Sequence, residues 1–328
     1  MPPKTQLNDA FAASLENWMP KTATWLLAVS GGLDSMVLLH FLHRVGYGSL
    51  VICHVNHQLR GDDSRRDADF VSEAASVLGL ECERVEVDVA GHAASEKCSI
   101  ERAARELRYQ ALARIFDQRE CRGVVTAHHA DDQVETVLIN FFRGSGARGI
   151  SGMEAVSKRD DSKLEIFRPF LLIPRRELER YAGENGVEFR QDASNFEDFA
   201  LRNRVRNTLV PTLNEVFERD VSGAVLRAAA LASRDEAWMS EAQGQLPLKE
   251  NGLDVALLRE MSAAVRDRLL LRWLRENRVP DCGYEEVSRL SRIVLSDGNP
   301  AKVNLPGGVH ARRRAGVLFL EKDGEAVS

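Results

Sequence analysis

Short apolar runs alternate with helix-like stripes of apolar residues up to about residue 200 of the chain. The runs have the character of buried parallel strands. They are Thr24–Val29, Leu50–Val55, Arg84–Val87, Gly123–Ala127 and Glu165–Phe170, of which Arg84–Val87 is predicted to be partly exposed. Between them, apolar residues recur at intervals of three and four, which places them on one face of a helix. Strands that alternate with helices predict right-handed crossovers and a doubly wound parallel sheet of the α/β class.

The pattern changes after about residue 215. Val221–Met239 and Val255–Asn277 have helical spacing. Three short strand-like runs follow, Lys302–Leu305, Val309–Arg313 and Val317–Leu320. We therefore predict two domains, an α/β domain over residues 1–215 and a smaller, mostly helical or α+β domain over residues 216–328.

Composition and charge exclude several classes of protein. Lys and Arg number 44 against 49 Asp and Glu, a net charge of −5, so the chain is not a globally basic nucleic-acid-coating protein, although a local basic groove is allowed. The sequence has no membrane-length apolar run and no apolar signal core, so we expect a cytoplasmic protein without a membrane partner. The five cysteines form no C-x-x-C, which predicts free thiols and neither a zinc site nor an iron–sulfur cluster.

A glycine-containing loop follows the first predicted strand, Ser30-Gly31-Gly32-Leu33-Asp34-Ser35. Open α/β sheets bind ligands at the carboxyl ends of their strands. Two glycines allow the backbone to approach a phosphate, and the amides of the next helix favour an anion. Asp34 shares the charge of a phosphate, so its roles would be helix N-cap or Mg²⁺ ligand. The alternative, a plain glycine turn capped by Asp34, is disfavoured by the complete pattern.

Two acidic residues begin the helix that follows the fourth predicted strand. Asp132 and Glu135 are three residues apart and share one helix face, which opens into the same crevice as the loop. The pair has the chemistry to bind a substrate ammonium, bind Mg²⁺ or accept a proton. The alternative is that both acids only complement the helix dipole. The residues alone leave this choice open.

Arginines cluster at three places in the chain, and one of these clusters, Arg312–Arg314, lies near the end and is also a candidate for binding RNA. Arg202, Arg204 and Arg206 alternate with other residues, and Arg143 and Arg148 lie in or beside a glycine-containing segment that we expect to be either an active-site loop or a surface turn. Arginine side chains suit phosphate backbones, so these five are candidates for binding RNA. A solvated charged surface is the alternative.

The loop resembles that of the N-type ATP pyrophosphatases, or PP-loop proteins, which split ATP between its α and β phosphates and use the adenylate to activate an oxygen. Further segments narrow the resemblance, namely His54–Gly61, Ser99–Tyr109, Thr126–Thr136, Arg168–Phe170, Asp192–Asn195 and Arg202–Arg206. In this order and spacing, over about residues 24–211, they resemble the tRNA(Ile)-lysidine synthetases. Asn304–Leu320 is a weaker match to the C-terminal part of that family.

The resemblance implies roles for individual residues. Ser30–Ser35 would bind Mg²⁺–ATP, with His54 and Asn56 near its adenine or ribose. The catalytic residues would be Asp34, Arg105, Asp132 and Glu135. Arg105 would contact phosphate, unless it only belongs to a solvated helix face, and Asp132 with Glu135 would bind free lysine. The family needs no zinc, so a zinc site of His54, His57, His128 and His129 is disfavoured.

The implied reaction is a C–N ligation in two steps. ATP adenylates the C2 oxygen of the wobble cytidine in a tRNA(Ile) with a CAU anticodon, and pyrophosphate leaves. The lysine ε-amine then displaces AMP to form lysidine, which changes decoding from methionine (AUG) to isoleucine (AUA). The alternatives are a tRNA thiolase of the same superfamily, with Cys53 or Cys121 carrying sulfur, and a non-catalytic tRNA-binding protein. Longer family members have an additional C-terminal domain, so tRNA-body binding and homodimer formation are left open.

Overall fold

A computed structural model of the chain describes residues 7–59, 61–159, 163–190, 201–242, 244–249, 252–297 and 301–322. The Asp192–Asn195 motif and Arg60 therefore lie outside the described residues. The chain divides into two compact units, Met1–Ser233 and Arg234–Ser328. The boundary predicted near residue 215 falls inside a helix, Val210–Val216. In the part of the chain that the structure describes, no helix combines the length and apolar character needed to cross a membrane.

The first unit contains a six-stranded sheet flanked by helices. Its strands are β1 (Trp25–Ala28), β2 (Leu50–Asn56), β3 (Glu81–Glu86), β4 (Gly123–Val125), β5 (Val156–Lys158) and β6 (Glu165–Phe167). Its helices are α1 (Asp9–Glu16), α2 (Leu33–Arg44), α3 (Asp62–Val77), α4 (Val89–Glu96), α5 (Ile100–Gln118), α6 (Ala130–Phe142), α7 (Ala147–Ile150), α8 (Arg175–Asn185), α9 (Leu201–Arg204), α10 (Val210–Val216) and α11 (Ser222–Ala242), the last of which crosses the boundary between the units.

The strand order is β3-β2-β1-β4-β6-β5, and every pair is parallel except β5 with β6. The predicted doubly wound parallel sheet is therefore confirmed, with the edge strand β5 as an unpredicted addition. The chain order reverses at β1, because β2 lies on one side of it and β4 on the other. The crevice at the carboxyl ends of β1 and β4 is thus the switch point, where such sheets bind ligands.

Two apolar layers enclose the sheet. Along β1, Leu27 belongs to one buried cluster and Leu26 to another, as expected for side chains that alternate between the faces of a strand. Helices α1, α2 and α8 contribute to the first cluster, and α5 contributes to the second. Because both faces are covered at the centre of the sheet, β1, β2 and β4 are apolar runs, which is why these strands were readable from the sequence.

A third apolar cluster fixes the segment after residue 200. A π-helical turn, Val205–Leu209, joins α9 to α10. Val205 is buried against Val134, Leu138 and Ile139 of α6. This contact holds the arginine-containing segment against the helix that begins with the two predicted acids.

The second unit contains an antiparallel sheet and helices that pack with it. Its strands are β7 (Leu248–Lys249), β8 (Gly252–Asp254), β9 (Lys302–Leu305), β10 (Val309–Arg314) and β11 (Val317–Lys322), in the order β7-β8-β11-β10-β9. Its helices are α12 (Val255–Glu260), α13 (Ala263–Glu276) and α14 (Tyr284–Leu295). The three predicted strands are confirmed, and the unit is α+β.

The single helix predicted over Val255–Asn277 is wrong. Met261 and Ser262 have extended backbone, with ψ angles of 148° and 151°, and separate α12 from α13. Ser262 is the N-cap residue of α13, a position that serine favours. The apolar spacing continues across the break, so periodicity alone did not reveal it.

We expect Leu38→Ala to lower the free energy of unfolding of the first unit by about 2–5 kcal/mol, because Leu38 of α2 is 0% exposed and its removal leaves a cavity. Leu231→Ala is the matched control, since this helical leucine is 60% exposed and should change the value by less than about 0.5 kcal/mol. Urea unfolding followed by circular dichroism measures both. Equal effects of the two substitutions would contradict the packing described here.

Candidate active site

The loop after β1 is internally hydrogen-bonded. The hydroxyl oxygens of Ser30 and Ser35 lie 3.2 Å apart, and Ser35 Oγ donates to the carbonyl oxygen of Gly32 at 3.0 Å. Gly31 has φ +93°, and a Cβ there would lie 3.3 Å from Val71 Cγ2, so a side chain is disfavoured on both counts. Gly32 is the N-cap of α2, and no described side chain caps it. The first amides of α2 are therefore left for an anion.

Asp34 is the second residue of α2, so its predicted role as N-cap is wrong. Its Oδ2 atom lies 3.5 Å from Arg175 Nη1 and 3.6 Å from His129 Nε2. Its Oδ1 atom is buried and has no hydrogen-bond partner among the described residues. Burial by itself raises the pKa of Asp34, but His129 and Arg175 outweigh burial and lower the pKa.

A cleft of about 1190 Å³ opens beside this loop. Most of the residues predicted to bind nucleotide or substrate line it, namely Ser30, Gly31, Gly32, Leu33, Asp34, Ser35, His54, Asn56, Asp132 and Arg206. The other predicted site residues are not among the described wall residues, namely Arg105, Glu135, Arg143, Arg148, Arg202 and Arg204. The structure thus brings the predicted nucleotide-binding residues and Asp132 to one cavity.

His54 and Asn56 lie at the end of β2, on one wall of the cleft. His54 Nδ1 donates to the carbonyl oxygen of Val29 at 2.9 Å, which leaves Nε2 as an acceptor. Asn56 Oδ1 accepts from the backbone N–H of Gln58 at 2.9 Å. The side-chain NH₂ group of Asn56 is therefore the group left for a ligand. Their contacts with adenine or ribose stay a prediction.

His129 is the most buried charged group of the site, with 1% of its side chain exposed. Its ring nitrogens lie 3.5–3.6 Å from oxygens of Asp34, Asp131 and Asp132. These distances are too long for hydrogen bonds, so the attraction is between charges. Burial by itself lowers the pKa of His129, but Asp131, Asp34 and Asp132 outweigh burial and raise the pKa to about 10. The imidazole is therefore a cation at neutral pH.

Asp132 and Glu135, the two predicted acids, both form ion pairs with Arg206, one of the arginines predicted to bind RNA. Arg206 Nε donates to Glu135 Oε1 at 2.6 Å, and Nη2 donates to Asp132 Oδ1 at 3.2 Å. Asp132 also caps α6, because its Oδ2 accepts from the backbone N–H of His129 at 3.0 Å. Burial raises the pKa of Glu135, and Arg206 opposes this rise. Both acids therefore do more than complement the helix dipole.

A second group of arginines surrounds Tyr109 of α5. The guanidinium carbons of Arg105, Arg108 and Arg159 lie 5.1, 5.3 and 4.4 Å from the ring centre, within cation–π range. Burial by itself raises the pKa of Tyr109, but Arg108 and Arg105 outweigh it and lower the pKa. Arg105 is exposed beside the cleft, whereas Arg108 and Tyr109 line it. This wall of the cleft is therefore cationic.

His128 shares this cationic surrounding and differs from its neighbour His129. Burial, followed by Arg168 and Arg108, holds the pKa of His128 well below its usual value, so the ring is neutral. Its Nδ1 atom lies 2.8 Å from Thr126 Oγ1. Of these two adjacent histidines, His128 is therefore neutral and His129 is positively charged.

The described residues contain no group of three or more His, Cys, Asp or Glu side chains arranged to hold a metal ion.

The remaining arginines predicted to bind RNA differ in exposure. Arg143, Arg148 and Arg204 are exposed. Arg202 Nη2 donates to Thr136 Oγ1 at 2.9 Å, so it lies against α6. The glycine-containing segment forms the short helix α7, and the carbonyl oxygen of Gly149 in this helix accepts from Asn140 Nδ2 of α6 at 2.8 Å.

Sequence reasoning missed three residues of the site. His129 was considered only as a zinc ligand, and Arg108 and Arg175, which both line the cleft, were given no role. A signal was present for His129, since the acids Asp131 and Asp132 follow it two and three residues later. No local signal marks its contact with Asp34, because that contact crosses the sheet from β1 to β4.

The sheet topology, the phosphate loop after β1 and the acidic helix after β4 define a nucleotide-binding protein of the PP-loop class. Residues 3–213 match the family model described as the PP-loop domain, and residues 253–319 match the TilS substrate binding domain. The tRNA(Ile)-lysidine synthase of Chlorobaculum tepidum is 33% identical over 309 residues, which cover 91% of this chain and 88% of that protein. The chain belongs to the tRNA(Ile)-lysidine synthase family, as its motifs predicted.

Other relatives of this name are longer. The tRNA(Ile)-lysidine synthase of Dehalococcoides mccartyi is 35% identical over 301 residues, and the match covers 86% of this chain and 62% of that protein. For the Bacillus subtilis relative, the match is 35% identical and covers 67% of this chain and 46% of that protein. The chain therefore spans about half to two thirds of the length of these relatives.

A solved structure shares the fold of the first unit. The U34-tRNA thiolase NcsA of Methanococcus maripaludis, solved with its [4Fe-4S] cluster, aligns with a TM-score of 0.51 and 17% sequence identity. The alignment covers 65% of this chain and 72% of that protein. At this identity the likeness concerns the fold alone.

We expect the buried ion cluster to make stability depend on pH through His129. Because the pKa of His129 is raised to about 10, its contribution to stability is complete below about pH 6.5 and is lost as the pH rises through 10. The free energy of unfolding of the wild type should therefore fall from pH 7 to pH 10 more steeply than that of His129→Gln. Urea unfolding at several pH values measures this difference, and His43→Gln serves as the control. Parallel pH curves for wild type and His129→Gln would contradict the charged state of the ring.

Proposed function

We propose that the chain catalyses the ATP-dependent attachment of lysine to C2 of the wobble cytidine in a tRNA(Ile) with a CAU anticodon. The observation that carries the proposal is one cleft lined by the phosphate loop, Ser30–Ser35, and by Asp132 and Arg206, the second of which also binds the buried Glu135. Family membership supplies the identity of the substrates. The product is lysidine, and the tRNA changes from methionine to isoleucine decoding in the cytoplasm.

The adenylation step uses the loop and the cationic wall. The free amides of α2 and the hydroxyls of Ser30 and Ser35 bind phosphate oxygens of ATP. The unpartnered Oδ1 of Asp34 fits a Mg²⁺ ligand, since magnesium takes few protein oxygens and completes its shell with phosphate and water. Bound Mg²⁺ would neutralise charge on the phosphates. We assign to Arg108, which lines the cleft, and to Arg105, which shares its contact with Tyr109, the stabilisation of negative charge that develops at phosphorus.

The amine-transfer step uses the acid pair. Lysine enters with a protonated ε-amine, which two carboxylates attract. The amine must lose a proton before it attacks C2, and a neighbouring carboxylate is a suitable acceptor. Glu135 Oε2 is buried and has no hydrogen-bond partner among the described residues, so it is the acceptor of choice.

Binding of the RNA uses exposed arginines. Arg143, Arg148 and Arg204 are available to a phosphate backbone, and Arg202 lies two residues before Arg204. The second unit matches a substrate binding domain, and Arg314 is exposed on its strand β10. We therefore assign tRNA binding to this unit as well.

The tRNA thiolase alternative is not favoured. Sulfur transfer needs a reactive thiolate. Burial raises the pKa of Cys53 to about 12, and burial also raises the pKa of Cys121. Both thiols are protonated at neutral pH. A non-catalytic role is also disfavoured. Burying the charged side chains of the site costs free energy of folding, and a protein that only binds tRNA would have no need to keep them.

Incorporation of labelled lysine into an unmodified tRNA(Ile) transcript with a CAU anticodon tests the function. We expect label that depends on ATP and is absent from a transcript with uridine at the wobble position. Filter binding of acid-precipitated RNA measures the label. tRNA-stimulated release of pyrophosphate without label would contradict lysine transfer and favour the thiolase, and the absence of both signals would favour a binding protein.

We expect Asp34→Asn and Asp34→Ala to slow tRNA-dependent pyrophosphate release by about 100-fold or more, because both remove the carboxylate that faces the phosphates. Asp63→Ala is the control, since Asp63 is an exposed acid of α3 that pairs with Arg66. A pyrophosphate assay at saturating ATP compares the variants. Wild-type rates in both Asp34 variants, with native circular dichroism, would remove Asp34 from the chemistry.

A further inference from the structure

Arg206 forms the closest contact of the acid pair. Its Nε lies 2.6 Å from Glu135 Oε1, and its Nη2 lies 3.2 Å from Asp132 Oδ1. Glu135 is only 2% exposed, so water does not stabilise its charge. An isolated buried carboxylate is strongly unfavourable unless a cation compensates it. Arg206 is the cation that does so.

The hydrogen bonds leave one carboxylate oxygen without a donor. Asp132 uses Oδ1 for Arg206 and Oδ2 for the backbone N–H of His129. Glu135 uses Oε1 for Arg206, and its Oε2 is buried without a partner among the described residues. The geometry therefore separates the acids. Asp132 has its oxygens occupied within the protein, and Glu135 keeps one acceptor for a further donor.

The charges around the pair favour a further cation. The ion pairs in this part of the first unit contain more carboxylates than cationic side chains, namely Asp34, Asp131, Asp132, Glu135 and Glu179 against His129, Arg175 and Arg206. These paired groups therefore carry a net negative charge. An ammonium group reduces this charge, whereas an anion such as an RNA phosphate adds to it.

The backbone explains why Arg206 faces inward. It lies in the π-helical turn Val205–Leu209, whose first residue is buried against α6. π-Helical turns are rare in proteins overall, and those that occur are often found at functional sites. Arg204, two residues earlier, is exposed, so the two arginines of one motif have different surroundings.

We propose that Arg206 is a positioning residue of the amine site rather than a contact of the tRNA backbone. It holds Glu135 in place through Oε1, so that Oε2 receives the lysine ammonium, and it reduces the negative charge that this ammonium meets. This inference rests on the proposed function, since it takes lysine as the amine.

Kinetics of Arg206 variants in the full chain test this role. We expect Arg206→Ala to raise the KM for lysine about 10-fold or more, a typical loss when one charged hydrogen-bond partner is removed, while the Kd for tRNA changes less than about 2-fold. Arg206→Lys keeps the charge and should recover most of the affinity for lysine. Arg204→Ala is the matched control and should show the reverse, an unchanged KM for lysine and a weaker, less salt-dependent affinity for tRNA.

Three outcomes decide the matter. A weaker affinity for tRNA and an unchanged KM for lysine in Arg206→Ala would overturn the inference. If Arg206→Ala does not fold because Glu135 is left unpaired, Arg206→Lys carries the test, and a wild-type KM for lysine together with weaker tRNA binding in that variant would also overturn it. Failure of the wild type to incorporate lysine would instead contradict the proposed function, so the two failures are distinguishable.

Discussion

The site depends on one buried cation, the imidazolium of His129, and the three carboxylates around it. Asp34 belongs to the helix that follows the phosphate loop, Asp132 caps α6, and Asp131 Oδ2 accepts from the backbone N–H of Arg175 at the start of α8. A charge that is 1% exposed persists only when it is compensated. The need to compensate these groups therefore holds three helix starts at the carboxyl edge of the sheet in fixed relation to one another.

This arrangement divides the cleft by charge. The carboxylates lie around α6, and the arginines lie around Tyr109 on α5, with His128 neutral among them and His129 charged beside the acids. An enzyme that binds ATP and RNA together with an amino acid whose side chain is a cation needs both kinds of surface in one cavity. Neutral histidine at the cationic wall and charged histidine at the acidic side follow from burial and neighbours alone.

The sequence was informative where one property of a residue determined its place. Strands buried on both faces appear as apolar runs, and the phosphate loop is a local motif, so both were predictable. Periodicity failed at Met261–Ser262, where the apolar spacing continues although the helix does not. The contact between Asp34 and His129 could not be predicted either, because charge compensation between distant segments leaves no local pattern in a single sequence.

The arginines of α9 and the following turn show the same limit most sharply. Arg202, Arg204 and Arg206 are alike in type and regular in spacing, so the sequence groups them as one basic surface. The π-helical turn and the burial of Val205 separate them, since Arg202 contacts Thr136, Arg204 is exposed and Arg206 binds both acids. Two carboxylates so close together at the edge of a core require a cation whether or not substrate is present. The residue that provides it when the site is empty also determines how much negative charge the substrate amine encounters.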